Sequence, residues 1–428
     1  MAGTARDSVA DRSLEHRWLE RDIQVLGADG SPLADAEVTV AQERHAVGFG
    51  CIGFDLVPLA NGDHSRDPAD ELTFGGARLD GLEQLAELWL GLFDTATLPF
   101  YWRGFEPERG APQTERLRRA ARWFVERGVR VKGHPLVWHT LAPTWLRDLP
   151  TAEVERLQRE RIRREVSAFA GLVGAWDAIN EAVIMPVFDR EQNGLTRLAR
   201  EIGRIATVRM AFEEARSADP SVALHLNDFD MSSAYECLVE GVLEAGIRPD
   251  GLGLQSHMHQ GWWGEDRTVD VLERFSRFGL PLHMTEITLL SGDLMPPEIE
   301  DLNDYQRDEW PSTPEGEARQ ADELVRHYRT LLSHPAVASV TYWGLTDDGA
   351  WLGAPAGLVR RDGTPKPAYH ALQELVRGEW WVAPTSLRTD RDGRVRVRGW
   401  AGDYRVDVGG QSATVSLAAS PAEVVARL

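Results

Sequence analysis

Cysteine and lysine are almost missing from this chain, and no long apolar run occurs in it. The two cysteines, Cys51 and Cys237, form neither a disulfide framework nor a metal-binding spacing. No segment approaches the roughly 20 apolar residues needed to span a bilayer. Lysine occurs only at Lys132 and Lys366, so nearly all the basic side chains are arginine. Positive charge is also in deficit, with 47 Lys and Arg against 67 Asp and Glu, for a formal net charge of −20. That balance argues against a nucleic-acid or anionic-membrane partner, both of which need a basic surface. It suits a neutral ligand such as a sugar. Residues Met1 to Asp7 run into charged sequence without an apolar stretch, so no signal peptide is expected and the location expected is cytoplasmic.

What is present is a barrel-length pattern. At 428 residues with 43% hydrophobic content, the chain can hold an α/β barrel of about 250 residues and a smaller module. Short apolar runs at 46–52, 92–98, 129–138, 174–180, 223–227, 251–256, 280–285 and 339–345 read as strands. Helical patterns lie near 79–91, 113–128, 153–172, 196–218, 232–245, 268–279, 316–333 and 366–377. In the second of these, Leu117, Ala120, Ala121, Phe124 and Val125 recur at helical spacing before Gly128. Eight strand–helix pairs predict a closed (β/α)8 TIM barrel over residues 46–380. The flanks, 1–45 and 381–428, carry alternating apolar patterns. Residues 22–45 read as a hairpin turning at Ala28-Asp29-Gly30, and 383–428 as further strands with a turn at Asp390–Gly393. Neither flank can bury a core alone, so the two are expected to join as an accessory β-sandwich. Residues 291–315 read as a long loop overhanging the mouth.

Two of the strand runs lead into glutamates, Glu181 after Trp176–Asn180 and Glu286 after Pro281–Thr285. A carboxylate at the end of a buried strand is desolvated and needs a reason to be there. Two of them at the carboxyl face of one barrel satisfy what glycoside hydrolysis asks for, a proton donor and a nucleophile. A structural ion pair is the alternative for each taken singly.

Gly133-His134-Pro135-Leu136-Val137-Trp138-His139, Trp176–Ala182, Leu226-Asn227-Asp228, Gly253–His257, Thr285-Glu286 and Trp343–Asp347 occur in this order. Together they resemble the family 10 glycoside hydrolases, best known for endo-β-1,4-xylanases. The resemblance implies an α/β barrel and a retaining mechanism, with Glu181 as acid/base and Glu286 as nucleophile. It further implies that Asn180 meets the sugar 2-hydroxyl, that His257 beside Gln255 holds the nucleophile, and that His139 contacts the sugar. Trp343 and Trp351 would wall the cleaved subsite. Tyr101, Trp102, Asn227 and Asp228 join them as candidate substrate contacts. One stretch departs from the family. Its xylanases carry Glu-Asn-x-x-Lys on the second barrel strand to grip the non-reducing side, where this chain has Thr97, Leu98 and Tyr101. Each lost hydrogen-bonding grip removes on the order of 1–3 kcal/mol. Thr140-Leu141 likewise replaces the usual Ser-Gln after His139. Oligosaccharides or small glycosides are therefore expected as substrates in preference to xylan.

Rival readings remain open. A true endo-xylanase is one. The cluster His134, His139, His225, His257, His259 and His283 allows a metal-dependent hydrolase on the same fold. A sugar-binding protein without turnover is the third. The leading reading needs no cofactor and no metal, with a β-linked carbohydrate as partner and a monomer or small homo-oligomer as the assembly. Of fifteen tryptophans, Trp138 joins the site candidates, Trp262-Trp263 stand beyond the sixth strand as aglycone candidates, and Trp380-Trp381 read as packing. His134 reads as structural.

Overall fold

A computed structural model describes residues 14–63, 81–418 and 424–428. The amino-terminal reading at Met1–Asp7, and the start of the helix expected at 79, lie outside them. The strands are β1 (Trp18–Leu26), β2 (Glu37–His45), β3 (Gly48–Ile52), β4 (Thr95–Pro99), β5 (Arg130–His134), β6 (Ala175–Asn180), β7 (Ala223–Asp228) and β8 (Gly251–Met258). They continue with β9 (Leu282–Leu289), β10 (Val337–Tyr342), β11 (Thr385–Arg388), β12 (Arg394–Trp400), β13 (Gly402–Val408), β14 (Gln411–Leu417) and β15 (Val424–Arg427).

Strands β3 to β10 form a closed parallel barrel in sequence order, with β10 pairing back onto β3. Every residue of β3 is buried, as expected for strands covered on both faces. The intervening helices turn one apolar stripe inward. Thr114–Val125 buries Leu117, Ala120, Ala121 and Phe124, and its arginines lie between them. The helical pattern at 196–218 is two helices, Gly194–Ile202 and Arg204–Ala218, which meet at Gly203 with a φ of 86°. Among the described residues, no helix is long and apolar enough to cross a membrane.

The flanks build two sheets, β12-β1-β15 and β11-β2-β13-β14. Ile23, Val25, Val38, Val40, Val395, Val397, Tyr404 and Val406 share one apolar core between them. The hairpin expected at 22–45 is corrected by this topology. β1 pairs with β12 and β15, whereas β2 pairs with β11 and β13, so the segment around Gly30 carries the chain from one sheet to the other. Alternating polarity specifies which face of a strand is buried, but not which neighbour it takes. A true hairpin joins β13 and β14, where Gly409 and Gly410 both take positive φ (57° and 89°) as a two-residue turn requires.

Inside the barrel a charged knot replaces apolar packing. Lys132 Nζ lies 2.8 Å from Asp177 Oδ2, and His134 Nδ1 lies 2.7 Å from the same oxygen. Both lysines of the chain are buried in ion pairs, the second being Lys366 with Asp347 at 2.7 Å. Burial pushes the Asp177 carboxyl up, but the Lys132 charge and the His134 hydrogen bond outweigh it and hold the group well below its usual range. Removing one partner of such a pair leaves an uncompensated buried charge. Lys132→Met is therefore expected to lose about 3–5 kcal/mol in urea unfolding at neutral pH. Because the folded pKa of Asp177 is depressed, its contribution is present above the unfolded value near 4 and is lost as pH falls below it. The gap between wild type and variant should close in acid. An equal loss at every pH would contradict the assignment.

Candidate active site

Glu181 follows directly on β6, and its backbone holds a φ of 57°, a left-handed conformation that is uncommon for a residue with a Cβ. Its Oε2 accepts a hydrogen bond from Trp138 Nε1 at 2.7 Å. Its Oε1 accepts from Asn180 Nδ2 at 3.1 Å and lies 3.5 Å from Gln255 Nε2. Burial raises this carboxyl to about 8, with the charges of Asp228 and Glu286 adding to the rise and the Trp138 hydrogen bond opposing it.

Glu286 lies within β9, not at its end, because β9 runs on to Leu289. The β8–β9 register shifts between Leu254 and Gln255, and this bulge sets Gln255 opposite Glu286. Glu286 Oε1 accepts from Asn227 Nδ2 at 2.9 Å, and Oε2 lies 3.1 Å from His257 Nε2. Burial alone would push the Glu286 carboxyl up. The His257 hydrogen bond and the neighbouring histidines His134 and His257 reverse that and hold it below its ordinary value.

Two amides join the carboxylates. Asn227 Nδ2 donates to both Glu286 Oε1 and Asn180 Oδ1 (2.6 Å), and Asn180 in turn donates to Glu181. Thr285 Oγ1 donates to Asn227 Oδ1 at 2.7 Å, and the acceptor-only Glu286 carboxylate on the other side fixes the flip of that amide. Gly253 makes room for it, since a Cβ there would sit 2.1 Å from Asn227 Oδ1.

On the β4, β5 and β10 side, aromatic rings pack together near the strand ends. Tyr101 packs at 5.4 Å from Trp138 and 5.6 Å from His134, and Trp343 lies 5.2 Å from His134 and 5.6 Å from Phe54. Trp351 lies against His257 at 4.8 Å. His139 is buried at the edge, with Nε2 3.9 Å from Glu181 Oε2, its ring 4.3 Å from Phe188 and its other nitrogen unpartnered. Burial lowers its pKa to about 3, so it is a neutral imidazole. Among the described residues, no group of three His, Cys, Asp or Glu side chains is placed to hold a metal ion. His257 and His259 turn instead to Glu286 and, over longer contacts, to Thr288.

Residues 99–375 match the model of glycosyl hydrolase family 10. The chain belongs to that family. It is similar to endo-1,4-beta-xylanase B of Thermotoga neapolitana, at 27% identity over 289 residues, covering 64% of this chain and 78% of the relative. Anti-sigma-I factor RsgI6 of Acetivibrio thermocellus is 24% identical over 410 residues, covering 94% of this chain but 46% of the relative. Native xylanase 10B from Thermotoga maritima superposes with a TM-score of 0.58 at 26% identity, covering 73% of this chain and 97% of that one. Xylanase 10B from Thermotoga petrophila, solved with xylobiose, gives 0.61 at 23% identity over 78% and 95%, a likeness of fold. This family 10 chain is thus a xylanase-like glycoside hydrolase, and retention of configuration is general in the family.

Two expected site residues turn their polar groups to protein partners. Trp102 is corrected to a core residue. Its indole donates to Glu106 Oε2 at 2.9 Å, Arg161 lies over its ring, and it packs with Ala142, Leu146 and Leu195. Asp228 is corrected to a strut, because its two oxygens accept backbone N–H groups from Val183 and Asp230 at 3.1 Å each. It braces the loop that follows Glu181. Of the substituted grips, Thr97 is buried with its hydroxyl unpartnered, while Leu98 belongs to the apolar core. The sequence reading missed Thr285 as the residue that orients Asn227, and Asp177 as the partner of His134. A lysine buried in a chain nearly devoid of lysine was the available signal for the latter.

Proposed function

We propose that this family 10 member cleaves β-glycosides by double displacement, with Glu286 as nucleophile and Glu181 as acid/base. The observation that carries the assignment is the opposite displacement of two carboxyls joined through Asn180 and Asn227. Glu181 is raised to about 8 and holds its proton at neutral pH, while Glu286 is lowered and stays ionised. A Glu286 oxygen attacks the anomeric carbon as Glu181 delivers its proton to the leaving oxygen. The aglycone departs, leaving a glycosyl ester on Glu286. Glu181, now a carboxylate, takes a proton from water, the water oxygen attacks the same carbon, and Glu286 is released. Trp138 and Asn180 steady Glu181 through this change of charge, and His257 and Asn227 do the same for Glu286.

The substrates proposed are short β-linked oligosaccharides or glycosides. The support is the place of the three polar grips, where this chain has a buried Thr97, a Leu98 that belongs to the apolar core, and a buried Tyr101 ring. Aryl β-xyloside, xylobioside, glucoside, cellobioside, galactoside and arabinoside assayed together test this. Clear preference for the xylobioside would favour a true endo-xylanase instead.

The acid/base role also predicts the alkaline limb of kcat/KM near pH 8, because only protonated Glu181 can assist departure. Trp138 stabilises the carboxylate form, so Trp138→Phe should move that limb to higher pH. Asp228 destabilises it, so Asp228→Asn should move the limb lower. Both variants shifting in the same direction would contradict the assignment of this limb to Glu181.

A further inference from the structure

The loop after β6 and the loop after β9, which leave the strands of the two catalytic candidates, are tied to each other. The β9 loop is an excursion pinched at its base, where Gly292 bridges to Ser312 and Ser291 Oγ lies 2.8 Å from Ser312 Oγ. The pinch depends on glycine, since a Cβ on Gly292 would stand 2.3 Å from Pro311 O. Within the excursion Leu290, Met295 and Trp310 form a small core with Ala354 and Ala356, so the loop is packed. It first crosses the end of β8, where Met295 N donates to His259 O at 2.9 Å and Gln260 Nε2 donates to Pro296 O and Ile299 O (2.9 and 2.8 Å). Beyond that it reaches Arg190. The guanidinium forks onto Asp304 at 2.8 and 2.9 Å, and its Nε lies 2.7 Å from Asp301. Arg190 stands nine residues after Glu181 in the β6 loop, whose Glu191 is held from the other side by Arg103 at 3.1 Å.

In barrel order β7 and β8 lie between the two tied loops, while the aromatic rings follow β4, β5 and β10. If the aromatic side takes the glycone, as the proposed function has it, the tied loops cover the side by which the leaving group extends. We propose that Arg190, Asp301 and Asp304 are determinants of substrate length. Their ion-pair tie turns the aglycone half of the groove into a covered passage that admits short leaving groups and hinders a long chain from lying across the site. The inference rests on the glycosidase reading for which side is which, but the tie itself does not. A fork onto two carboxylates is the favourable form of an ion pair. Its members are nevertheless partly exposed (side chains 42%, 37% and 58%), so the cover can open.

The test compares wild type, Arg190→Ala and the double variant Asp301→Asn with Asp304→Asn on an aryl β-glycoside and on a soluble β-1,4-xylan. Both variants should raise the ratio of kcat/KM on the long chain to that on the aryl glycoside about fivefold, the shift that releasing an exposed pair of about 1 kcal/mol allows. The aryl glycoside rate itself should stay within about twofold. High salt should raise the same ratio in wild type and leave it flat in the variants. A ratio unchanged in both variants, or lowered, overturns the proposal. Absence of turnover of both substrates by wild type would instead strike the glycosidase reading. Calorimetric preference for long over short xylo-oligosaccharides, greater in the variants than in wild type, then decides the tie on its own.

Discussion

Glu286→Ala is expected to retain less than about a thousandth of wild-type kcat on an aryl β-glycoside, because it removes the ionised carboxylate that Asn227 and His257 hold for attack on the anomeric carbon. The loss should be nearly independent of the leaving group, since both good and poor ones need the same attack on the anomeric carbon. Asn227 and His257 would be left facing a small cavity that an anion can enter. Added formate or azide is therefore expected to restore part of the turnover, and with azide the product should be the α-glycosyl azide, from a single inversion. Wild-type-like activity in Glu286→Ala, or a β-azide from it, would remove Glu286 from the role of nucleophile.

The second large effect belongs to Glu181→Ala, and it should depend on the leaving group. With a poorly activated aglycone the first step has lost its proton donor, and a fall of about a hundredfold or more is expected. With a dinitrophenyl-type aglycone departure needs little assistance, so glycosylation survives and the glycosyl-enzyme accumulates. Azide should then speed turnover by attacking that intermediate without a general base, and the product should be the β-glycosyl azide. The alkaline limb near pH 8 should also disappear, because its titrating group is gone. Equal losses across good and poor leaving groups, with the limb intact, would assign the proton transfer to another residue.

The opposite protonation of the two glutamates arises from partners that differ, since Glu286 is the more buried of the two and yet is the one held below its ordinary value. Glu181 receives the Trp138 indole and the Asn180 and Gln255 amides and faces the negative charges of Asp228 and Glu286, so desolvation prevails. Glu286 receives an amide and an imidazole and stands near the His134–Asp177 pair, which is itself anchored by Lys132. The His257 hydrogen bond leads the lowering of Glu286, His134 adds to it, and the Asp177 charge opposes it.

Much of this was legible in the chain itself. The periodicity located the eight barrel strands, and the strand-end placement of Glu181 followed from the same pattern. Glu286 was found as a residue, but the bulge that sets it inside β9 opposite Gln255 was not, because register shifts leave no mark in apolar periodicity. The positive φ at Glu181 escaped for a similar reason, since no glycine announces it. Pairing partners were the weakest point. β1 and β2 look like a hairpin because they are near in sequence, yet each pairs with strands more than 340 residues away. Trp102 was expected at the site, and Asp228 could be read from the sequence as a sugar ligand or as a hydrogen-bonding residue of the barrel mouth, because type and position in a motif do not say which way a side chain turns. Trp102 turns to Glu106 and Asp228 to the backbone of the next loop.

A 2-deoxy-2-fluoro glycoside with a dinitrophenyl leaving group, incubated with wild type and followed by peptide mass mapping, addresses the double displacement most directly. The fluorine slows both steps and the activated aglycone rescues only the first, so the ester should accumulate. The predicted result is one sugar per chain, on the peptide that contains Glu286, with loss of activity in step with labelling. A label on any other residue, or inactivation without a covalent adduct, would contradict the account.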